Sequence, residues 1–546
     1  MKSDVNRRKA RCFLKERAEC LQQGLKAACI IDQSLSPVPG APDGRALPLR
    51  GQTDAHASME AGASQGPDIG SLLSYNTALQ NVVQGTTNCL PYDTTLHHAD
   101  CGCPATWIRG QRAADLVDLL VHRAVLAYQQ RELVPTRPLR VAYMLPHHNI
   151  TGGMKCLVEH IRLLKARGHT TIAVHRSDTA ERAMPPWTQV QADVDLVCRL
   201  HERLNDVYDV NAIDVVVVGI FHQVAELLVG VAAPILYWEQ GHEWLFGDPV
   251  RFQAAHNYAK QDQLFHMVLH LPVALAAVSE AVQNILAQEF GRAAICVPNA
   301  VDCQRFCPGP PADIPPSYIL TTVKGQRAHS GGAQRSVLIV GNPALPLKGF
   351  DVAVAVLTAV NRVLPLMVTW VCQVQPSAAT VPQLVGSGLR LHLHVSPAQE
   401  DLPALYRGHD AFLFTSRYEA WGMPVLEAMA SGLAVVATRC LGVESFAQHG
   451  TNCLLADPQD VVGLARALCA VLIDASVRQH LQSAARTTAL RFTPAAIVDR
   501  LESVLYSLAA ASHELVQLRQ AAAPDLQTAC AWASHACAKK PSSASS

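Results

Sequence analysis

Residues 411–437 read AFLFTSRYEAWGMPVLEAMASGLAVVA, and this stretch constrains the fold more than any other. Ala411–Phe414 is a short apolar run that predicts a buried strand ending at Thr415-Ser416. A loop with Glu419, Trp421 and Gly422 follows. Pro424 suits the first turn of a helix, where its missing N–H has no partner to lose, and Gly432 suits the helix end. Ala434–Ala437 predicts a second strand. Strand, loop, helix, strand is the unit of a doubly wound parallel sheet, whose ligands bind beyond the carboxyl ends of the strands.

The same alternation runs through most of the chain. Leu139–Leu145 predicts a strand, Gly152-Gly153 a turn, Met154–Arg167 an amphipathic helix closed by Gly168, and Thr170–Val174 a second strand. Strands are expected at Val215–Gly219, Ile235–Trp238 and Ala274–Val278, after which Ser279 caps a helix closed by Gly291. A second series begins with a strand at Val337–Val340 and a helix at Asp351–Val363. Two doubly wound α/β domains follow, with irregular flanks. The reading places a poorly ordered extension, with one helix-like stretch, at 1–110 and a helix leading into the fold at 111–138. It places a first Rossmann-like domain at 139–306, a linker at 307–335 and a second Rossmann-like domain at 336–490. A closing helix at 491–510 and an Ala-rich tail at 511–546 complete the chain.

Composition narrows the function classes. Charged residues are 16% of the chain, below the usual share of about 25%, while 49% are hydrophobic, so a chain disordered throughout is excluded. Lys+Arg and Asp+Glu both number 45, and no global basic field points to nucleic acid. The 17 cysteines include no CxxC pair, so reduced structural thiols are expected rather than a disulfide framework or a zinc site. No run of about 18 apolar residues predicts a membrane span, and no apolar segment follows the basic residues 2–11, so a cytoplasmic location is expected.

The chemistry concentrates at strand ends. A helix N-terminus favours phosphate through its free N–H groups and dipole, and carboxylates beside it accept hydrogen bonds from sugar hydroxyls. Glu419 and Glu427 flank such a terminus. Lys348-Gly349 follows the Val337–Val340 strand, and Gly152-Gly153 follows the first strand. After the Ile235–Trp238 strand comes Glu239-Gln240-Gly241-His242-Glu243-Trp244, placed to face a cleft.

T-S-R-Y-E-A-W-G-M-P-V-L-E-A-M-A-S-G-L-A-V-V-A resembles the Glu-x7-Glu signature of retaining glycosyltransferases of family 4, which have the GT-B fold of two Rossmann-like domains facing a cleft. Gly341…Lys348-Gly349-Phe350-Asp351 resembles the family's phosphate-binding strand and turn, with Asn342 where an arginine is usual. Pro298-Asn299-Ala300-Val301-Asp302 resembles the turn that closes its first domain. The resemblance covers about 139–508 and implies an acceptor domain followed by a nucleotide-sugar domain. It implies that Gly152, Gly153, Lys348, Ser416, Glu419 and Glu427 bind the donor, with Glu419 on the sugar, Glu427 on the ribose and Lys348 on the diphosphate. His242 is a catalytic candidate beside Glu419, and Gln240 and Glu243 are acceptor-side candidates.

What the resemblance implies is sugar transfer from a nucleotide diphosphate to an acceptor hydroxyl with retained configuration, in cell-surface glycan or glycolipid synthesis. No metal or other cofactor is expected, since fixed cations and helix N–H groups meet the leaving charge. The implied partners are a nucleotide sugar and a glycan or lipid-linked acceptor. Independently of the resemblance, the basic N-terminus suits either a solvated basic face or a peripheral helix at the inner membrane face, of which the solvated face is the commoner. Asn342 leaves open a weak or inactive sugar-nucleotide-binding protein; a nucleotide-sugar epimerase is a more distant alternative.

Overall fold

The computed structural model describes residues 105–241, 245, 258–311, 313–321, 334–376 and 389–523. The first sheet contains β1 (Arg140–Leu145), β2 (Thr170–Arg176), β3 (Val194–Cys198), β4 (Val215–Val218), β5 (Ile235–Glu239), β6 (Ala274–Ala277) and β7 (Ile295–Cys296). Its order is β3-β2-β1-β4-β5-β6-β7, all parallel. The second contains β8 (Tyr318–Thr321), β9 (Arg335–Val340), β10 (Leu366–Cys372), β11 (Arg390–Val395), β12 (Ala411–Phe414), β13 (Ala434–Thr438) and β14 (Leu454–Ala456). Its order is β14-β13-β12-β9-β10-β11-β8, with only β8 antiparallel. Strands such as β4 (VVVV) and β13 (AVVAT) are buried along their whole length, because helices cover both faces of a parallel sheet.

In the first sheet the chain starts in the middle and winds outward in two directions, and the second sheet does the same from β9 once the edge strand β8 has been laid down. The order reverses between β1 and β4 in the first sheet and between β9 and β12 in the second. Loops leaving those strands diverge and open a crevice. The loop to Gly152-Gly153 leaves β1, the Lys348 turn leaves β9 and the Glu419 loop leaves β12.

Helices fasten the two halves. α1 (Ala105–Gln129) begins before the expected start at 111 and packs on the first sheet. Buried Arg292 donates to Asp118 of this helix at 2.7 and 2.9 Å and also to the carbonyls of Leu269 and Val273. α2 (Gly152–Ala166) starts at the two glycines, which form its first residues rather than the turn expected before Met154, and Thr151 caps it by accepting from Met154 N. α3 (Glu280–Phe290) has the cap and stop read from sequence: Ser279 accepts from Val282 N, and Gly291 is left-handed at φ 64°. In the second half, α4 is Phe350–Asn361 and α5 is Met423–Ala430. The final long helix, α6 (Pro494–Ala510), returns to the first half and packs on α1 and α2. Arg167 pairs there with Asp499 at 2.5 Å and Glu502 at 3.1 Å.

Two parts of the reading need correction. The 307–335 linker contains β8, because Tyr318–Leu320 finds an open edge on β11. The tail at 511–546 begins with a further helix, α7 (Ser512–Ala521), rather than fraying. Leu515 and Leu518 are buried there, and buried Arg519 donates to the carbonyls of Val231 and, at 2.8 Å, Ala233. The irregular extension at 1–104 and the end of the tail, 524–546, lie outside the described residues. The cysteines among the described residues are free thiols, most of them buried.

Candidate active site

The second-domain crevice gathers three of the residues expected on the donor. Lys348 lies at the end of the turn leaving β9, and Ser416 and Glu419 lie in the loop leaving β12. Lys348 Nζ donates to Glu419 Oε1 at 2.5 Å, and Ser416 Oγ donates to the same oxygen at 2.7 Å. Glu419 is held by its backbone: its N–H donates to Cys440 O at 2.9 Å and its carbonyl accepts from Gly442 N at 2.8 Å. The carboxylate is therefore fixed between a cation and a hydroxyl, with its side chain still 14% exposed.

Gly349 explains why the lysine is followed by glycine. Its φ is 63°, and a Cβ there would stand 2.0 Å from the carbonyl oxygen of Thr415. Thr415 Oγ1 in turn donates to Gly349 O at 3.0 Å, which locks the two loops together. Gly341, Asn342, Lys348, Thr415 and Ser416 line one pocket at this crevice.

Glu427 sits one turn further along α5 and faces a different partner. Tyr406 Oη donates to its Oε2 at 2.6 Å. Burial pushes the Glu427 carboxyl above its ordinary pKa, opposed by the charge of Lys155 and by the Tyr406 hydrogen bond. Tyr406 had no signal in the sequence, because it follows a single short turn of helix. Gly422 caps α5 without a side chain, so the terminus stays open to a ligand.

On the first domain, Gly153 and Gln240 come together. A Cβ on Gly153 would lie 3.5 Å from the Gln240 amide, whose buried Oε1 has no partner among the described residues. Gly152 faces open space. Glu239, just before Gln240, is spent on structure: Tyr237 Oη and Gly241 N both donate to it. His242 and Glu243 lie outside the described residues. Of the two histidines before the glycine turn, His148 contacts Ala183 O at 2.9 Å and stacks on His175.

Arg417 follows Ser416 in the loop leaving β12 and is a basic residue that could replace the arginine missing at 342. The structure turns it elsewhere: Arg417 grips Asp351 at 2.7 and 3.0 Å and also donates to Pro346 O. Asn342 itself closes a turn by accepting from Ala344 N at 2.9 Å.

Residues 334–474 match the family described as glycosyl transferases group 1. This segment of the chain is similar to that family over most of the second domain. It contains Lys348, Ser416, Glu419 and Glu427, and its limits match the second sheet apart from β8. The chain is 48% identical over 63 residues to the mannosylfructose-phosphate synthase of Agrobacterium fabrum, covering 12% of this chain and 14% of that enzyme. It is 30% identical over 200 residues to the D-inositol 3-phosphate glycosyltransferase of Xylanimonas cellulosilytica, covering 36% of this chain and 47% of that enzyme. The match thus spans less than half the length of either curated relative. Outside this segment the fold is the wider guide. Anabaena HepE, solved in complex with UDP-glucose, superposes with a TM-score of 0.50 at 18% identity, over 67% of this chain and 98% of that one. The two sheets and the crevice between them are the GT-B fold.

Proposed function

We propose that this protein transfers a sugar from a nucleoside diphosphate donor to an acceptor hydroxyl with retention of configuration. The observation that carries the reading is the Lys348–Glu419–Ser416 cluster at the second-domain crevice, inside the segment similar to group 1 glycosyltransferases. In the unliganded site Lys348 and Glu419 neutralise one another. A bound donor separates their tasks: Lys348 turns to the diphosphate, and Glu419 accepts hydrogen bonds from the sugar. The bond from the anomeric carbon to the diphosphate oxygen breaks, and a bond from that carbon to the acceptor oxygen forms on the same face. The acceptor proton passes to the departing diphosphate oxygen. Fixed donors aimed at the developing charge supply the main stabilisation. Glu427 and Tyr406 hold the ribose, and the Gln240 side of the glycine turn, with His242 and Glu243 next in the chain, receives the acceptor.

A glycan or lipid-linked acceptor fits this reading, and so does cell-surface glycan synthesis: one relative is the lipopolysaccharide core glycosyltransferase LpsE of Rhizobium meliloti. Among the described residues no helix is long and apolar enough to cross a membrane. The test is nucleotide release from a panel of nucleotide sugars, with and without lipid-linked acceptors. Glu419→Ala should lower kcat/KM at least about 100-fold while the protein stays folded; full activity in that variant would sink the assignment. Asn342 favours one second reading, a protein that binds sugar nucleotides without turnover. Tight binding with no release across the whole panel would select it.

A further inference from the structure

The donor site lacks a second cation where the glycosyltransferase resemblance expects one, and the basic side chains around it in the second domain are committed. Arg417 is held by Asp351. Arg439 is paired with Glu444 at 3.3 Å and Asp457 at 3.8 Å. Lys348 alone cannot match the two to three charges of a departing nucleoside diphosphate.

Lys155 is placed differently. It lies in the first turn of α2, after the two glycines, and that turn has no acidic residue. A lysine there opposes the helix dipole. Among the described residues its ammonium has no salt bridge or side-chain hydrogen bond, although its charge is the largest one favouring ionised Glu427 in the other domain. Lys155 lines a cavity of about 140 Å³ together with Glu159, His160, Asn299 and Met423. Met423 is the first residue of α5, so the cavity joins the two domains at the open N-terminus of that helix. The carboxylate of Glu159 is already paired with Arg162 at 2.6 Å. That leaves the Lys155 ammonium beside an open helix N-terminus, a combination that favours an anion between them.

The cavity walls also ask for a polar occupant. His160 is 2% exposed, and among the described residues neither ring nitrogen has a partner; Asn299 is 5% exposed, and its Oδ1 has none there either. Burial holds His160 neutral, and its ring stacks on Trp238 at 4.2 Å. It can therefore donate one hydrogen bond without adding charge.

We propose that Lys155 is the second diphosphate cation of this enzyme, supplied by the first domain in place of the arginine absent at Asn342. The inference rests on the glycosyltransferase reading above. Lys155 contacts the β-phosphate, and Lys348 meets the same group from the second domain. The leaving group then gains its full charge complement only when both domains close on the donor. The anomeric bond breaks in the closed, dry state, and the open enzyme hydrolyses little donor.

Calorimetric titration of the full chain tests this with UDP, GDP and ADP, and with the monophosphate of whichever base binds. Lys155→Met keeps the apolar stem and removes the charge. It should weaken the diphosphate at least about tenfold and leave the monophosphate within about twofold, because the monophosphate lacks the group Lys155 contacts. Asn342→Arg in the Lys155→Met background should recover most of the loss. An unchanged diphosphate affinity, an equal loss for both ligands, or an unrecovered double variant overturns the assignment while leaving the glycosyltransferase reading intact. Failure of the native protein to bind any of the three diphosphates overturns both. Thermal unfolding of each variant confirms that the fold is preserved.

Discussion

Glu427 illustrates how a ligand-binding residue weighs on the unliganded fold. Its pKa is raised by burial, so the folded chain holds its proton more tightly than the unfolded chain does. Stability therefore falls as pH rises through the unfolded and then the folded pKa, and the cost is complete above the folded one. Glu427→Gln keeps a partner for Tyr406 and removes the charge. Its melting temperature at pH 7 should exceed that of the native protein, with the gain shrinking as pH is lowered toward the unfolded glutamate value of about 4.3. Nucleoside diphosphate binding should weaken by about tenfold or more in the same variant, because hydrogen bonds to a carboxylate are worth more than those to an amide. A melting temperature at pH 7 equal to or below the native one would contradict this account. Lys348, Ser416 and Glu419 were all named from the sequence motif, but that one oxygen of Glu419 serves both partners is a fact of geometry.

Among the elements, the helices that join the halves are where tertiary contacts overrule the local pattern. α1 has the spacing of a surface helix, yet its Asp118 is buried against Arg292 of the segment following α3. That guanidinium also satisfies backbone carbonyls from the end of the preceding helix to the start of β6. Arg292→Ala strands a buried carboxylate and several acceptors, and it should cost about 3–5 kcal/mol in chemical denaturation. Arg137→Ala is the control. Its pair with Asp214 is as short, at 2.6 Å against 2.7 Å, but the arginine is 60% exposed, and the loss should stay under about 1 kcal/mol. Similar losses for the two variants would refute the burial argument. α7 was not legible because only Leu515 and Leu518 mark its apolar face, and Arg519 completes its docking by reaching the carbonyls of Val231 and Ala233.

Over the whole molecule, the halves share a pH sensitivity that neither motif nor composition announces. Burial lowers the pKa of His160 to about 3, and of His270 and His409 to about 4. The first two lie in the first domain and the third in the second. Each stays neutral in the fold and charges in the unfolded chain below its ordinary pKa of about 6.5, so stability drops as pH falls. Each histidine should contribute a slope of up to about 1.4 kcal/mol per pH unit between roughly pH 6 and pH 4. Melting temperatures measured over pH 4–8 should fall on the acid side, and His160→Asn should flatten part of that fall. A native protein with constant melting temperature from pH 7 to pH 5 would rule the effect out.

Local patterning was enough to determine the two α/β series, the buried strands and the donor motif, because strand, turn and helix signals lie within a few residues of each other. The edge strand β8 was not legible, since Tyr318–Thr321 becomes a strand only by pairing with β11. Nor was the state of the cations. From the sequence, Arg417 and Lys155 are both basic residues beside a glycine-bearing turn. The folded chain decides between them by bringing Asp351 to Arg417 and the open end of α5 to Lys155. Charge partners are set by approach across the crevice, between residues 66 positions apart in one case and in separate domains in the other, and no local pattern carries that information.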